Sequence, residues 1–398
     1  MRSHLASPPG DGFLGEVTIP DSVTEIVEGA FEGCTGLTSV TIPGSVTHIG
    51  GFAFRCCTGL TSVTIPDSVT DIAEGAFGSC TGLTSVTIPD SVTDIEGNAF
   101  RGCTGLASVT IPNSVTRIGR YAFYGCTGLT SVTIPDSVTH IQGSAFKGCI
   151  GLTSVTIPDS VTHIGSRAFK GCIGLTSVTI PIGDAKIGLS CFSECTGLTS
   201  VTIPDGVTEI GKYAFYGCTG LTSVTIPDSV TTIWDAAFAD CTGITSVTIL
   251  DGVAKIGEDV AKNVAKIEEG AFENCTRLTS VTIPDSVTRI GSDAFYNTAI
   301  CYAASGSPAL PDHLKLIERL GKIVPYYHPI PKLYFESSMW SRWNHSLLSK
   351  KAKESVLCMF LAAHRLGEKK SLSLPFLPPE LVLIILGHVP SRFLGKFA

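Results

Sequence analysis

Residues 129–151 read L-T-S-V-T-I-P-D-S-V-T-H-I-Q-G-S-A-F-K-G-C-I-G, and this unit recurs along the first 300 residues of the chain. Its Ile-Pro dipeptide returns every 23 residues, at Ile19, Ile42, Ile65, Ile88, Ile111, Ile134, Ile157, Ile180, Ile203 and Ile226. Ile249-Leu250 continues this register, and Ile283-Pro284 follows 34 residues later. A fixed period of this length predicts a solenoid in which each unit stacks on the next.

Each position of the unit has a physical role. Leu129, Val132 and Ile134 alternate with polar residues, which is typical of a short strand with one face turned inward. The proline ends that strand because it has no N–H to donate. Val138 and Ile141 form a second inward pair, on a turn or a short extended return. The Ala-Phe pair fills the middle of the coil, the cysteine packs beside it, and a glycine lets the chain turn into the next strand.

The unit resembles a known repeat. The pattern I-P-x-S-V-T-x-I-G-x-x-A-F-x-G-C-x-G-L-T-S-V-T is similar to the BspA-type leucine-rich repeat, which is also described as a bacterial-surface-antigen and Treponema-like repeat. The resemblance covers about residues 14–297. It implies a curved, right-handed solenoid with a parallel strand ladder, and a role in adhesion or protein binding. It does not imply one particular partner.

We therefore predict a β-rich repeat solenoid of the leucine-rich-repeat type, with a small, mainly α-helical C-terminal region. The predicted segments are an N-terminal extension at 1–13, a solenoid of about 12 rungs at 14–298, a linker at 299–311 and the helical region at 312–398. One unit is longer than the rest. The sequence V-A-K-I of residues 253–256 recurs at 264–267, which predicts a loop or short helix inserted near 251–267.

Charge and hydropathy exclude several partner classes. Residues 1–300 carry 15 Lys and Arg against 29 Asp and Glu, whereas residues 301–398 carry 13 against 6. An acidic solenoid disfavours nucleic acid, because phosphate contacts need clustered cations. The sequence has no run of about 20 apolar residues that would insert into a membrane. Residues 1–15 contain no signal-peptide core, so we expect a cytoplasmic or other intracellular location, or a surface location if the N-terminus is incomplete.

The cysteines and histidines predict neither a metal site nor a cofactor. Eleven of the 15 cysteines occupy one repeat position, which predicts a column of buried thiols instead of disulfides. The sequence contains no C-x-x-C pair that would favour zinc. His140 and His163 occupy the same position on adjacent rungs, but that column also contains Glu, Asp, Arg and Lys, which indicates solvated surface.

The sequence contains no phosphate-binding loop, no nucleophile elbow and no H-E-x-x-H pair. The aspartate of each I-P-D-S segment, such as Asp67 or Asp136, is expected to cap its turn through its side-chain oxygen. A residue repeated in every unit does not build one unique catalytic pocket. We predict that the chain is not an enzyme.

The predicted function is a non-catalytic protein-binding or adhesion scaffold. The outward strand positions are Ser and Thr in almost every unit, whereas the residues around Ala-Phe vary. Aromatic residues dominate interface energetics, so the candidate contacts are Tyr121, Tyr124, Tyr213, Tyr216 and Trp234. Drift among duplicated units explains the same variation equally well. The regular Ser-x-Thr array leaves ice binding as a remote alternative.

The C-terminal region suggests a second function. Residues 377–386, L-P-P-E-L-V-L-I-I-L, resemble the opening helix of an F-box, which docks a Skp-type adaptor. That resemblance implies a substrate adaptor of a ubiquitin ligase, with Leu381, Ile384 and Ile385 on one helix face. The other interpretation is a helical cap that covers the open end of the solenoid.

Overall fold

The structure is a computed structural model that describes residues 15–182, 186–250, 265–284, 287–291 and 293–300. The predicted N-terminal extension, the helical region at 312–398 and almost all of the linker lie outside the described residues, so these boundaries stay predictions. Within the described part, each repeat forms one turn of a solenoid with two short strands, except that a single bridge replaces a strand at Ile187 and at Thr202. In chain order the strands are β1 (Gly15–Thr18), β2 (Glu25–Ile26), β3 (Leu37–Thr41), β4 (His48–Ile49), β5 (Ser62–Thr64), β6 (Asp71–Ile72), β7 (Ser85–Thr87), β8 (Asp94–Ile95), β9 (Ser108–Thr110), β10 (Arg117–Ile118), β11 (Ser131–Thr133), β12 (His140–Ile141), β13 (Ser154–Thr156), β14 (His163–Ile164), β15 (Ser177–Thr179), β16 (Glu209–Ile210), β17 (Ser223–Ile226), β18 (Thr232–Ile233), β19 (Ser246–Ile249), β20 (Ala265–Ile267), β21 (Ser280–Thr282) and β22 (Val287–Ile290).

The S-V-T segments form the first parallel ladder. Its sheets have the orders β1-β3-β5-β7-β9-β11, β13-β15 and β17-β19-β21, and a bridge between Thr179 and Thr202 continues the second of them. Neighbouring strands pair with identical positions opposite each other, as Ser131 pairs with Ser108. Of the S-V-T residues only the valine is buried, as in Ser131–Thr133, and Val281 of β21 is partly buried, because successive side chains on a strand point to opposite faces.

A second parallel ladder runs along the return of each turn. Its two sheets have the orders β14-β12-β10-β8-β6-β4-β2 and β16-β18-β20-β22, and a bridge pairs Ile187 with Ile210. Its strands from β2 to β18 are two residues long, and their isoleucine is buried, as in His140–Ile141. The return therefore adds a second set of inter-rung hydrogen bonds to the first ladder.

A stack of phenylalanine rings lies in the middle of the coil, as the sequence predicts. Neighbouring ring centroids are 5.0–5.5 Å apart and the ring planes are nearly parallel, from Phe31 through Phe54, Phe77, Phe100, Phe123, Phe146, Phe169, Phe192, Phe215, Phe238 and Phe272 to Phe295. One rung cannot shield its own ring, so each rung depends on the two beside it.

In the sequence, the extra residues of the long unit fall between the two strands of one rung. β19 ends at Ile249 and β20 begins at Ala265, and Lys266 of β20 pairs with Thr232. The second V-A-K-I copy thus occupies the ladder position. The insertion is shorter than the predicted 251–267, because residues 265–267 are strand; residues 251–264 lie outside the described residues.

In the described turn at residues 134–138, the aspartate that was expected to cap the I-P-D-S turn does not do so. The Val138 N–H donates to the Pro135 carbonyl at 3.0 Å and closes the turn through the backbone. The Ser137 hydroxyl donates to the Val115 carbonyl of the preceding rung at 2.7 Å. Asp136 is exposed. The prediction was wrong because it considered one turn in isolation, whereas the serine binds a carbonyl of the neighbouring turn.

The cysteine column is buried except at Cys34, and its thiols have a second role that the sequence does not reveal. The Cys149 thiol donates to the Phe123 carbonyl at 3.1 Å, and the Cys126 N–H donates to the same oxygen at 3.2 Å. The thiol therefore satisfies the remaining lone pair of a buried carbonyl. Burial raises the pKa of Cys126 to about 12, so the reactive thiolate is scarce. The described cysteines are free thiols.

We expect the buried thiols of the column to be inert in the folded protein. A thiol-specific reagent at neutral pH should label half-buried Cys34 and Cys56 first, and buried thiols such as Cys126 only after unfolding. Dithiothreitol should leave Tm unchanged. Peptide mapping of the labelled sites and a melting curve with and without reductant check both points. A large fall in Tm on reduction would show that disulfides hold the array.

Candidate protein-binding surface

The variable residues of the repeats form one continuous surface, which we call the ridge. It consists of the two residues before the buried alanine of each rung (Cys191 on one rung) and the two residues after the buried phenylalanine. Backbone bonds between rungs hold it in place. For example, the Phe146 N–H donates to the Ala168 carbonyl at 2.8 Å, and the Gly148 N–H donates to the Lys170 carbonyl at 2.8 Å. The ridge backbone is thus set by stacking, whatever its side chains are.

The residue just before the buried alanine has a left-handed backbone. Its φ is +60° at Tyr121 and +57° at Tyr213. A bulky residue is strained in this region, where glycine is favoured. The Tyr121 N–H donates to the Gly143 carbonyl of the next rung, and the Tyr213 N–H donates to the Asp235 carbonyl. Inter-rung bonds hold the strained conformation, and the tyrosine rings lie outside the core.

Tyr121 and Tyr124 form the first tyrosine pair. Their rings meet edge to face with centroids 5.7 Å apart. Arg101 and Lys147 lie over the Tyr124 ring at 5.2 and 5.5 Å, and Arg120 lies over the Tyr121 ring at 4.8 Å. Cations attracted to the ring faces hold both rings at the surface. The result is a fixed aromatic patch surrounded by positive charge.

Tyr213 and Tyr216 form a second pair of the same geometry. Their centroids are 5.8 Å apart, and Lys212 lies over the Tyr213 ring at 5.3 Å. A hydrogen bond to Asp240 raises the pKa of Tyr216 to about 12, and burial and the nearby carboxylate charges add to the shift. The second pair thus lies in a more negative environment than the first.

Trp234 lies one rung beyond the second pair and is 41% exposed. Its indole N–H donates to Glu209 at 3.0 Å. Lys186 donates to the other oxygen of the same carboxylate at 2.7 Å, and the pKa of Glu209 falls below its usual value, first because of that bond. The indole is therefore held in one orientation at the surface.

The five predicted contact residues do not form one site. Tyr121 is close to Tyr124, and Tyr213 to Tyr216, but the two pairs are four rungs apart, or roughly 20 Å at the spacing of stacked strands. The cations that pack on the first pair were not predicted from the sequence. A comparison of the residues that follow each buried phenylalanine would have identified Arg101 and Lys147. Leu381, Ile384 and Ile385 lie outside the described residues.

The other described surfaces offer less chemistry. His140 and His163 have ring centroids 6.0 Å apart, and the Thr139 hydroxyl is hydrogen-bonded to His140. Within the described ranges, no group of three or more His, Cys, Asp or Glu side chains could hold a metal ion. In the same part of the chain, no helix is both long enough and apolar enough to cross a bilayer.

Comparison with known proteins identifies the repeat. A model of the BspA type leucine rich repeat region matches residues 11–130, 116–245 and 259–305. A leucine-rich repeat protein from Bacteroides ovatus of known structure is 32% identical, with a TM-score of 0.59, over 71% of this chain and 76% of that one. A leucine rich cell surface protein from Faecalibacterium prausnitzii is 33% identical, with a TM-score of 0.39, over 63% of this chain and 82% of that one. No curated protein matches the chain. The chain belongs to the BspA-type leucine-rich repeat family.

Proposed function

We propose that the protein is a non-catalytic scaffold that binds a protein partner through the ridge. The observation that carries this proposal is the pair of tyrosines on each of two rungs, whose rings meet edge to face at the surface beneath Arg or Lys side chains. The fold gains little from these rings, because they lie outside the core and glycine would relieve the strain. The left-handed backbone itself belongs to the repeat, because Ser144 and Arg167 have it at the same position, so the rings and not the strain distinguish these two rungs.

The ridge has the character of a binding surface. Tyrosine buries a large area with little loss of conformational entropy, and flanking Arg and Lys add directional contacts. The first ladder is a poorer candidate, since its exposed positions are Ser and Thr on almost every rung and hardly distinguish one partner from another. Leucine-rich repeat scaffolds are generally non-enzymatic, which agrees with a surface-binding role. The intracellular location and the F-box-like segment stay predictions.

Substitution of the first tyrosine pair tests the proposal. Tyr121→Ser with Tyr124→Ser should weaken partner binding at least ~10-fold, the size expected for central aromatic contacts. The tagged chain is purified from its native cell, in which an untagged copy of the chain is also expressed. The amount of each protein that co-purifies is measured by quantitative mass spectrometry. Thermal melting should change little, because neither ring is in the core.

A matched pair on the other surface serves as the control. Ser131→Ala with Thr133→Ala changes two exposed positions of β11 near the same rung. These variants should bind as the wild type does. Partner loss in the Ser131 and Thr133 variants, with no loss in the tyrosine variants, would contradict the proposal and move the binding surface to the first ladder.

A further inference from the structure

Charge is segregated along the ridge. Over the four rungs built on Phe100 to Phe169, the ridge has cations and no carboxylate; these residues, the basic segment, are Arg101, Arg120, Lys147, Arg167 and Lys170. Over the next five rungs, the ridge has one cation, Lys212, and a larger number of carboxylates. We call these carboxylates the acidic segment; they are Glu194, Asp235, Asp240, Glu269, Glu273 and Asp293. Along the nine rungs from Phe100 to Phe295, the ridge is therefore positive over the first four and negative over the last five; the three earlier rungs carry Glu28, Glu32 and Glu74 with Arg55.

Ion pairs within the chain neutralise only a small part of this charge. Lys170 pairs with Glu194 at 3.0 Å where the two segments meet, and Lys212 pairs with Asp235 at 3.1 Å. In the described part of the chain, no carboxylate lies within ion-pair distance of four basic-segment cations: Arg101, Arg120, Lys147 and Arg167. Each segment thus keeps charge that an opposite surface can satisfy.

The acidic segment shows the cost of leaving this charge uncompensated. Burial and the neighbouring carboxylates Asp293, Asp240 and Glu269 together raise the pKa of Glu273. Burial disfavours an ionised carboxylate, and nearby like charges disfavour it further. Cations brought against the segment would relieve this repulsion.

We propose that the ridge binds the ridge of a second copy of this chain in antiparallel orientation, with each basic segment against the other copy's acidic segment. This rests on the proposed function and names its partner. A two-fold axis makes the same complementary contact twice, which is the usual arrangement of a homodimer. Parallel pairing of these nine rungs in register would place like charges together, so the charge pattern favours the antiparallel orientation.

The ridge is large enough for such an interface. Eight steps of about 5 Å separate the ring of Phe100 from that of Phe295, so both segments together extend roughly 40 Å. A strip about 20 Å wide would bury roughly 800 Å² on each copy, the size of a standard stable interface. Both tyrosine pairs lie within the strip and would supply its aromatic contacts, whereas the Ser/Thr face would stay exposed.

A charge exchange between two variants of the full chain tests the proposal. The first variant carries Arg101→Glu, Lys147→Glu and Arg167→Glu, and the second carries Glu269→Lys, Glu273→Lys and Asp293→Lys. Sedimentation equilibrium should show a wild-type dimer whose Kd rises at least ~10-fold between about 0.05 and 0.5 M salt, because salt screens exposed charges. Each variant alone should be monomeric, and an equimolar mixture should form a one-to-one heterodimer.

The control reverses three exposed charges away from the ridge. Asp67→Lys, Asp136→Lys and Asp228→Lys change the net charge as much as the second variant does, and should leave the wild-type dimer intact. Circular dichroism establishes that every variant is folded. Dimerisation that survives the ridge variants and fails in this control would overturn the proposal, as would a mixture of the two ridge variants that stays monomeric.

Two further outcomes separate this inference from the proposed function. If the wild type stays monomeric but binds a polyglutamate peptide, and the first variant does not, the ridge is a protein-binding surface and the second-copy inference is wrong. If the wild type does not dimerise, and the tyrosine variants keep the partners that the wild type binds, both proposals are wrong. If the full chain is a monomer and becomes a dimer only when residues 301–398 are removed, the proposal that the full chain self-associates is wrong. Those residues carry an excess of cations.

Discussion

Phe146→Ala is expected to destabilise the solenoid by ~3–5 kcal/mol, the usual cost of removing a buried phenylalanine ring. The Phe146 ring is completely buried, and its centroid is 5.3 Å from those of Phe123 and Phe169, with nearly parallel planes. The substitution therefore leaves a cavity between two rings that themselves depend on the contact. Neighbouring rungs cannot close the gap, since both ladders fix the rung spacing.

Chemical denaturation followed by circular dichroism measures this loss, and hydrogen exchange locates it. Amides of the adjacent rungs should lose protection before those of distant rungs, because repeat arrays couple nearest neighbours. Ile150→Ala is the matched control: Ile150 is on the same rung and 43% exposed, so its truncation should cost less than ~0.5 kcal/mol. Equal losses in the two variants would mean that the ring stack does not hold the core.

The architecture was predictable because each rung repeats the same apolar positions. Val132, Phe146 and Cys149 are buried, as the period and alternation indicate. The second ladder was harder to predict, since two-residue strands such as His140–Ile141 are too short to show alternation. The hydrogen bonds of Ser137 and Cys149 were not predictable, because both side chains bind carbonyls 22 or 26 residues earlier in the sequence.

The sequence predicted where the candidate surface lies, but it did not predict the backbone and side-chain geometry of that surface. Variation around Ala-Phe identified Tyr121 and Tyr213, but the sequence does not reveal that both have a left-handed backbone. Nor does it reveal which cations pack on the tyrosine rings: Arg101 and Lys147 come from the rungs on either side of Tyr124. Such contacts depend on the rung spacing and on side-chain conformation, which become known only with the coordinates.

Gly128→Val is expected to destabilise the protein by about 3 kcal/mol, near the upper end of overpacking costs. The sequence suggested that this glycine is needed for a turn, but its φ is not in the left-handed region. The structure gives another reason: a Cβ at Gly128 would lie 2.5 Å from the Thr104 carbonyl oxygen and 3.3 Å from that of Leu106. Both carbonyl oxygens belong to the backbone of the preceding rung, so they cannot move aside without disturbing the ladder.

Gly125, three residues earlier in the same turn, provides the control. Its φ is +68°, and a Cβ there would have no atom within 4 Å. Asn274 and Asn297 occupy the equivalent position with φ of +58° and +54°. Gly125→Asn should therefore cost less than ~1 kcal/mol, because Asn tolerates this backbone region better than most residues. Denaturation curves of both variants decide the matter: equal losses would mean that backbone conformation, and not the close approach of stacked rungs, requires glycine at position 128.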